Sequence, residues 1–350
     1  MNIRPLSRKD EVKAKEIWKI CFGDSDAFID EYFNRIVRYE DTLGCYDGRE
    51  LIADLFMLDF QASISGIDFK TEFLAGCATL PKARKRGLMR DLVKSAMLGM
   101  RKSGLAVTYL HPFLHAFYRQ FGYETVAYVK RESMRPNSGH MEKEPAIFST
   151  YDKIPEENMR RAYHRYIAAY DHSFIRSKER FSKWLQLLFA DRGYAIVNED
   201  EEPVSYALYY MEENTADVFE LVAEGKKARE LLLGSIPAER INYFLPSPPD
   251  EAAEEFTMMR VLEPVCLLKK MPLKAEHFIL EIKDDFLEEH YNLRVEKVEG
   301  ETNLVEETVE KADLSLTIGE LAQAAAGAYA QGSKFDACFP GKTACFFETY

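Results

Sequence analysis

Cys77-Ala78-Thr79-Leu80 reads as the end of a β-strand, Pro81 stops it, and Lys82 to Gly87 carry the chain into a helix. Leu88, Leu92, Val93 and Ala96 mark one face of that helix, and LAVTYLHP after it reads as a further strand. Strand, basic glycine-bearing loop, helix, strand is an α/β unit with a loop at a helix N-terminus. Residues 81–102 hold eight basic residues and one acid, a net +7, whereas the whole chain balances at 46 − 58 = −12. A basic island in an acidic chain points to one anionic ligand, and the overall balance argues against a general binder of nucleic acid or anionic membrane. Unpaired N–H groups and the helix dipole favour an anion at such a helix start. Gly87 lets a diphosphate approach the backbone, and the neighbouring guanidinium and ammonium groups neutralise it. Taken alone, the same residues also read as a solvated basic loop.

The rest of the chain extends this pattern. Val12, Ala14, Ile17, Trp18 and Cys21 recur at three-to-four spacing and predict a helix, and FGDSDAFIDEYF opens a second with Asp or Ser as N-cap. LIADLFMLDFQAS and IDFKTEFLAGCATL, joined by Ser65-Gly66, predict two strands of a hairpin or meander. PNSGHMEKEP (136–145) reads as a linker. Beyond it come helices over 158–170 and 177–190, short strands in YAIVNED and PVSYALYYM, a loop in LPSPPDEAAEE and a strand in MMRVLEPVCLLKKM. From 274 onward, FILEIKDD predicts a strand, 291–299 a hairpin and IGELAQAAAGAYAQG a helix. This last stretch carries 7 basic and 16 acidic residues. The expected division is 1–136, 137–272 and 273–350, in keeping with two or three domains for 350 residues.

No run approaches about 18 consecutive apolar residues, and MNIRPLSRKDEVKAKEIW lacks an apolar h-region. Neither a transmembrane helix nor a signal peptide is expected, and the expected location is the cytoplasm. The six cysteines stand singly, most in apolar surroundings, and are expected to be reduced thiols. The seven histidines show no H-E-x-x-H spacing, so no metal is expected.

Arg84-Lys85-Arg86-Gly87-Leu88-Met89 resembles the pyrophosphate-binding motif R/Q-x-x-G-x-G/A of the GCN5-related N-acetyltransferase (GNAT) superfamily. Arg84 and Gly87 match, and Met89 stands where Gly or Ala is usual. ATLPKARKRGLMRDLV is similar to the loop of the enhanced-intracellular-survival (Eis) acetyltransferases, which accept a large apolar residue there. HAFYRQFGYE (115–124) resembles that family's F/I-Y-x-R/Q-F-G-Y, and MMRVLEP (258–264) the block ending its second domain. The resemblance runs through the chain in order and includes an acidic C-terminal unit like a sterol-carrier-protein domain.

The resemblance implies an α/β (α+β) fold, with two GNAT-like domains followed by a sterol-carrier-like α/β domain. Acetyl-CoA would bind to the first domain alone, because 137–272 contain no R-x-x-G-x-G/A loop. The strand backbone at Cys77 and Thr79 would pair with the pantetheine arm, and Arg84, Lys85, Gly87 and Leu88 would hold the diphosphate. Tyr118 would be the general acid, and the carboxylate of Tyr350 a base or orienter. Asp24, Asp26 and Glu348 are candidates for gripping a polycationic amine, and Phe22, Phe28 and Phe117 for walling the pocket. Asp24 and Asp26 read equally well as helix caps, and the aromatic residues, Tyr118 included, as core. Relatives often carry Glu immediately before the last residue; Thr349 stands there, with Glu348 one further back. The implied acceptors are aminoglycoside-like amines first and peptide lysines second, in a homo-oligomer that is hexameric among relatives. A lipid or small-molecule carrier is the alternative from another class.

The chemistry tolerates this assignment. An ammonium of pKa about 10.4 must lose a proton before it attacks a thioester, and the departing thiolate must gain one. A phenol of pKa about 10 protonates a thiolate of pKa about 8.5 at a cost of about 2 kcal/mol. An α-carboxylate of pKa about 3.5 is a weak base unless desolvated, so its expected part is to hold the cationic amine while water relays the proton.

Overall fold

The computed structural model describes residues 1–136, 144–199, 203–250, 252–298, 300, 302–341 and 343–348. The chain opens with β1 (Asn2–Pro5), α1 (Glu11–Phe22) and α2 (Asp26–Arg35). Gly23, left-handed at φ 80°, ends α1, and the Ser25 hydroxyl caps α2 by accepting from the Phe28 N–H. A meander follows: β2 (Thr42–Asp47), β3 (Glu50–Ile64) and β4 (Ile67–Thr79). Ser65 and Gly66 both have positive φ, as a two-residue hairpin turn between right-twisted strands requires. Then come α3 (Leu88–Lys102), β5 (Val107–Leu110), α4 (His115–Arg119) and β6 (Glu124–Thr125).

The chain next enters a second sheet with β7 (Tyr128–Met134) and β8 (Ala146–Phe148). After α5 (Glu156–Ile167), it returns to the first sheet for the three residues of β9 (His172–Phe174). The second sheet resumes after α6 (Lys178–Ala190) with β10 (Tyr194–Asn198), β11 (Ser205–Glu212) and β12 (Thr215–Val222). It closes with α7 (Gly225–Gly234), β13 (Arg240–Ser247) and β14 (Glu254–Glu255). β15 (Met258–Val261) then inserts between β5 and β6.

The two sheets share one plan. In the first, β3 and β4 are antiparallel, β4 and β5 parallel, and β5 and β15 antiparallel. In the second, β11, β12, β13 and β7 repeat that sequence of pairings. The strands are exchanged at the junction: β6 leads into β7 of the other sheet, and β14 leads back into β15 of the first. Sheet membership therefore crosses the expected divisions at 136/137 and 272/273. MMRVLEPVCLLKKM is strand only to Val261, because Pro264, which has no N–H to lose, opens α8 (Pro264–Lys270). LPSPPDEAAEE likewise begins within β13 and ends on β14.

A third, four-stranded sheet comprises β16 (His277–Asp284), β17 (Glu289–Glu296), β18 (Leu304–Glu307) and β19 (Leu314–Thr317), ordered β18-β17-β16-β19. α9 (Ile318–Ala326) starts on a Thr317/Glu320 capping box. The apolar core beneath the first sheet is continuous with that of the third unit, whereas the second sheet has a separate cluster on each face. Finally, β20 (Ala344–Cys345) runs parallel to β9 and brings residues 343–348 between the first two sheets.

Candidate active site

β4 and β5 pair in register over Glu72↔Thr108, Phe73↔Tyr109 and Leu74↔Leu110. There β5 stops, while β4 continues to Thr79, held on its other side by β3. From Ala75 to Thr79, the edge that faced β5 has no strand partner among the described residues, so apart from the Thr79 carbonyl it is open to an extended polar ligand. A register shift within this stretch falls at Gly76, with φ +54°. A Cβ there would lie 2.5 Å from the Trp18 ring and 2.6 Å from Phe56, so only glycine fits.

The basic loop turns back beneath this edge. The Arg84 Nε donates to the Thr79 carbonyl at 3.1 Å, and Lys85 and Gly87 both have positive φ. Gly87 is the N-cap of α3 and supplies no side-chain cap, so the helix presents its first N–H groups outward. Arg86 pairs with Asp47 and Lys82 with Glu50, whereas Lys85 makes no ion pair among the described residues. The cleft encloses about 670 Å³ and is lined by Cys77, Thr79, Arg84, Lys85, Gly87 and Leu88, with Phe22 and Phe117. An open strand edge ending on a basic, left-handed helix start fits the amide arm and diphosphate of coenzyme A.

Tyr118 lies on α4, buried, with its ring edge-on to Phe113, Phe117 and Tyr123. Its hydroxyl lies beside the Cys77 thiol on the open strand. Burial, with Cys77 alongside, pushes the phenol well above its ordinary value, and burial pushes the Cys77 thiol up to about 12. Cys77 is therefore a thiol at neutral pH and a poor nucleophile. The turn after α4 is held from outside: Arg260 of β15 donates through Nε to the Phe121 carbonyl at 2.9 Å and ion-pairs with Asp284 of the third unit.

The residues expected on the acceptor side separate. Asp24 accepts from the Trp18 indole N–H at 2.7 Å, and Ser25, the actual cap, donates to Asp191 Oδ1 at 3.3 Å. Burial raises the Asp191 pKa and the nearby Asp24 charge adds to the effect. Asp26 is exposed and paired with Lys19. Six residues beyond Phe22 of the first cleft, Phe28 helps to line a second cavity of about 310 Å³. Trp184, Tyr210 and Phe219 are aromatic walls of this cavity, with Asp191 and Asp217 as its acids. Sequence reasoning missed these residues because they lie on α6, β11 and β12 with no local motif. Glu348 does not reach either cavity: it is buried, 1% exposed, and ion-paired with Arg176 at 2.9 Å. Its side chain is already committed to a buried guanidinium, so it is not available to grip a substrate. Tyr350 lies outside the described residues.

The family model described as an acetyltransferase (GNAT) domain matches residues 2–126. This stretch is a GNAT acetyltransferase domain. It makes the chain an acyltransferase enzyme and implies acetyl-CoA as the donor. No curated protein sequence matches the chain. Solved structures resemble it over its whole length at low identity, so the likeness is one of fold. A GCN5-related N-acetyltransferase from Anabaena variabilis has a TM-score of 0.80 at 15% identity, with 100% of each chain covered. One from Kribbella flavida has 0.76 at 19%, covering 100% of this chain and 98% of that one. Eis1 from Mycobacterium abscessus has 0.73 at 17%, with 100% of each covered.

The GNAT domain has a topological counterpart in the second sheet, and that counterpart is differently furnished. β12 outruns its parallel pairing with β13, which ends at Val218↔Tyr243, and then shifts register as β4 does. The connection to α7 is only Ala223-Glu224, and Glu224 is ion-paired with Arg165 at 2.5 Å. The cleft there, about 480 Å³, has polar groups already joined to one another: Asn242 to Asp217, Arg240 to Ser133, and Tyr243 to Glu132.

Proposed function

We propose that the protein transfers an acetyl group from acetyl-CoA to a primary amine of a small polycationic molecule, aminoglycoside-like in character. The observation that carries this reading is the chain stretch Phe22 to Phe28. It lines the cofactor cleft at one end and an acidic, aromatic cavity at the other. Aromatic faces and carboxylates together suit an ammonium group. Acetyl-CoA supplies an activated acyl carbon. Arg84, Lys85 and the N–H groups following Gly87 would bind its diphosphate, and the open edge from Ala75 to Thr79 its amide arm.

In the proposed direct transfer, the amine nitrogen attacks the thioester carbonyl carbon, a C–N bond forms and the C–S bond breaks. Tyr118, beside Cys77, would give its proton to the departing sulfur. Burial raises the pKa of the phenol, and it raises that of a thiol released in the same dry cleft in the same direction, so the two stay matched. The proton lost by the amine would pass through water, with Asp191 and Asp217 of the cavity, and in our assignment the carboxylate of Tyr350, holding the cation in place. The high pKa of Cys77 disfavours an acyl-enzyme on that thiol. The Eis-like assignment, the sterol-carrier-like character of residues 273–350, a cytoplasmic location and a homo-oligomer such as a hexamer belong to the same proposal.

The test is CoA-thiol release from acetyl-CoA by protein left untagged at its C-terminus, against aminoglycosides, polyamines and lysine peptides. Turnover with aminoglycosides supports the reading. Turnover with peptides alone moves the acceptor to protein lysines and keeps the chemistry. Absence of acetyl-CoA binding overturns it.

A further inference from the structure

A single guanidinium joins the end of the chain to the wall of the acceptor cavity. Arg176 lies between β9 of the first sheet and α6 and is 2% exposed. Its two terminal nitrogens donate to the two oxygens of Glu220 on β12, at 2.9 and 2.8 Å, and its Nε donates to Glu348 Oε1 at 2.9 Å. Glu220 is also buried and accepts from the Tyr206 hydroxyl at 2.5 Å and from the Trp184 indole N–H at 3.2 Å. The Trp184 ring, with the Arg176 guanidinium 5.4 Å from its centroid, is a wall of the acceptor cavity.

The segment that brings Glu348 to this point is laced across two units. The His172 N–H donates to the Thr343 carbonyl, and β20 pairs with β9. Phe346 enters the core of the first sheet, 4.5 Å from the Phe174 ring, while Phe347 enters the core of the second, near Tyr166 and Phe244. Two carboxylates share one guanidinium in a dry interior, so removing Arg176 strands two buried acids, whereas neutralising Glu348 leaves a balanced Arg176–Glu220 pair and costs the cluster only one charge-assisted hydrogen bond.

We infer that Arg176 is a positioning residue for the acceptor. Through Glu220 it sets Trp184 as a wall of the cavity, and through Glu348 it makes that wall depend on docking of the segment 343–348. This inference rests on the proposed reading of the 310 Å³ cavity as the amine site. The order of dependence runs from the segment 343–348 through Glu348, Arg176 and Glu220 to the indole, and none of these groups lines the proposed cofactor cleft.

The test uses Glu348→Gln, which takes the charge from one arm and leaves the Arg176–Glu220 pair intact, and Arg176→Lys, which keeps the charge and loses the fork. In both, the KM for the amine should rise about tenfold, the size expected from one charge-assisted hydrogen bond, while the KM for acetyl-CoA stays within about twofold. A general loss of folding would move both constants or neither. A second readout needs no turnover. The chain has two tryptophans, so Trp18→Phe leaves Trp184 as the sole indole. In that background, adding Glu348→Gln should shift the Trp184 emission to the red and raise its quenching by acrylamide. An unchanged emission spectrum overturns the coupling. So does a rise in the acetyl-CoA KM equal to that for the amine. If the parent protein acetylates no amine, the proposed function fails, and the emission shift still decides whether the chain end sets the indole.

Discussion

The two units built on the first and second sheets have the same strand plan and differ at one connection. Between β4 and α3 the GNAT domain has Leu80 to Gly87, with four cationic side chains; a left-handed glycine stands at the helix start in both units, Gly87 in one and Gly225 in the other. Between β12 and α7 its counterpart has two residues, one of them an acid tied to Arg165. The bulged position also diverges: Gly76 keeps the β4 edge bare, whereas Phe219 places an aromatic ring between the second cleft and the 310 Å³ cavity proposed for the acceptor. A shared backbone thus leaves the chemistry to a few side chains. One copy fits an anionic donor, and the other gives its helix, its strand and Trp184 to the wall of the neighbouring cavity.

The largest expected effect tests what only the first unit has. Tyr118→Phe keeps the ring packing and removes the proton, so kcat should fall about 10²–10³-fold with the affinity for acetyl-CoA unchanged, read by steady-state kinetics beside equilibrium binding. An unaltered kcat would remove Tyr118 from the chemistry. Next in size, Arg84→Glu makes the first loop acidic like the second. Losing one charge-assisted contact to a diphosphate and gaining a repulsion should weaken acetyl-CoA binding about 100-fold, measured by calorimetry. A loss of less than about threefold would mean that the helix start alone holds the anion.

Much of the first unit was legible in the sequence because its signals are local. The Ser65-Gly66 turn between alternating strands, Pro81 ending β4 and Gly87 opening α3 each act within a few residues, and each lies where the spacing predicts. The strand exchange was not legible. The pairing of β15 between β5 and β6 joins Met258 to Leu110 and Thr125, across well over a hundred residues, and nothing in MMRVLEP specifies its partners. The acceptor side fails for the same reason: Asp24 and Asp191 meet only through the packing of α2 against α6. Glu348 looked like a free carboxylate because a buried guanidinium 172 positions away leaves no trace in its neighbours.

A smaller effect sharpens the comparison within the sheets themselves. Two residues before the last parallel pair, the first unit has Glu72 and the second has Ala216. Burial, with Asp41 and Asp59 nearby, raises the Glu72 pKa to about 7, and its Oε2 is buried with no hydrogen-bond partner among the described residues. A carboxyl whose folded pKa lies above its unfolded value contributes stability below the unfolded value, near 4.5, and loses it as pH rises through about 7. Glu72→Gln should therefore leave stability unchanged at pH 4.5 and raise it by about 1–2 kcal/mol at pH 8, the lower figure allowing for partial solvation. Urea unfolding at the two pH values measures this, and a gain at pH 4.5 as large as at pH 8 would show that the carboxyl is not held neutral.

The smallest effect belongs to the second unit's own loop. Glu224→Arg gives α7 a cation at its start, and Gly225 is left-handed as Gly87 is, yet the connection is still only two residues long. The cleft beside it is also still closed by the pairs Asn242–Asp217 and Arg240–Ser133. A diphosphate needs a loop that folds back under an open strand edge, and one charge does not supply that. Acetyl-CoA should bind the variant at one site per chain, as in the parent, with its KM within about twofold, by calorimetric stoichiometry and kinetics. A second equivalent of bound acetyl-CoA would show that charge alone separates the two units, and that the loop length and the paired cleft are incidental.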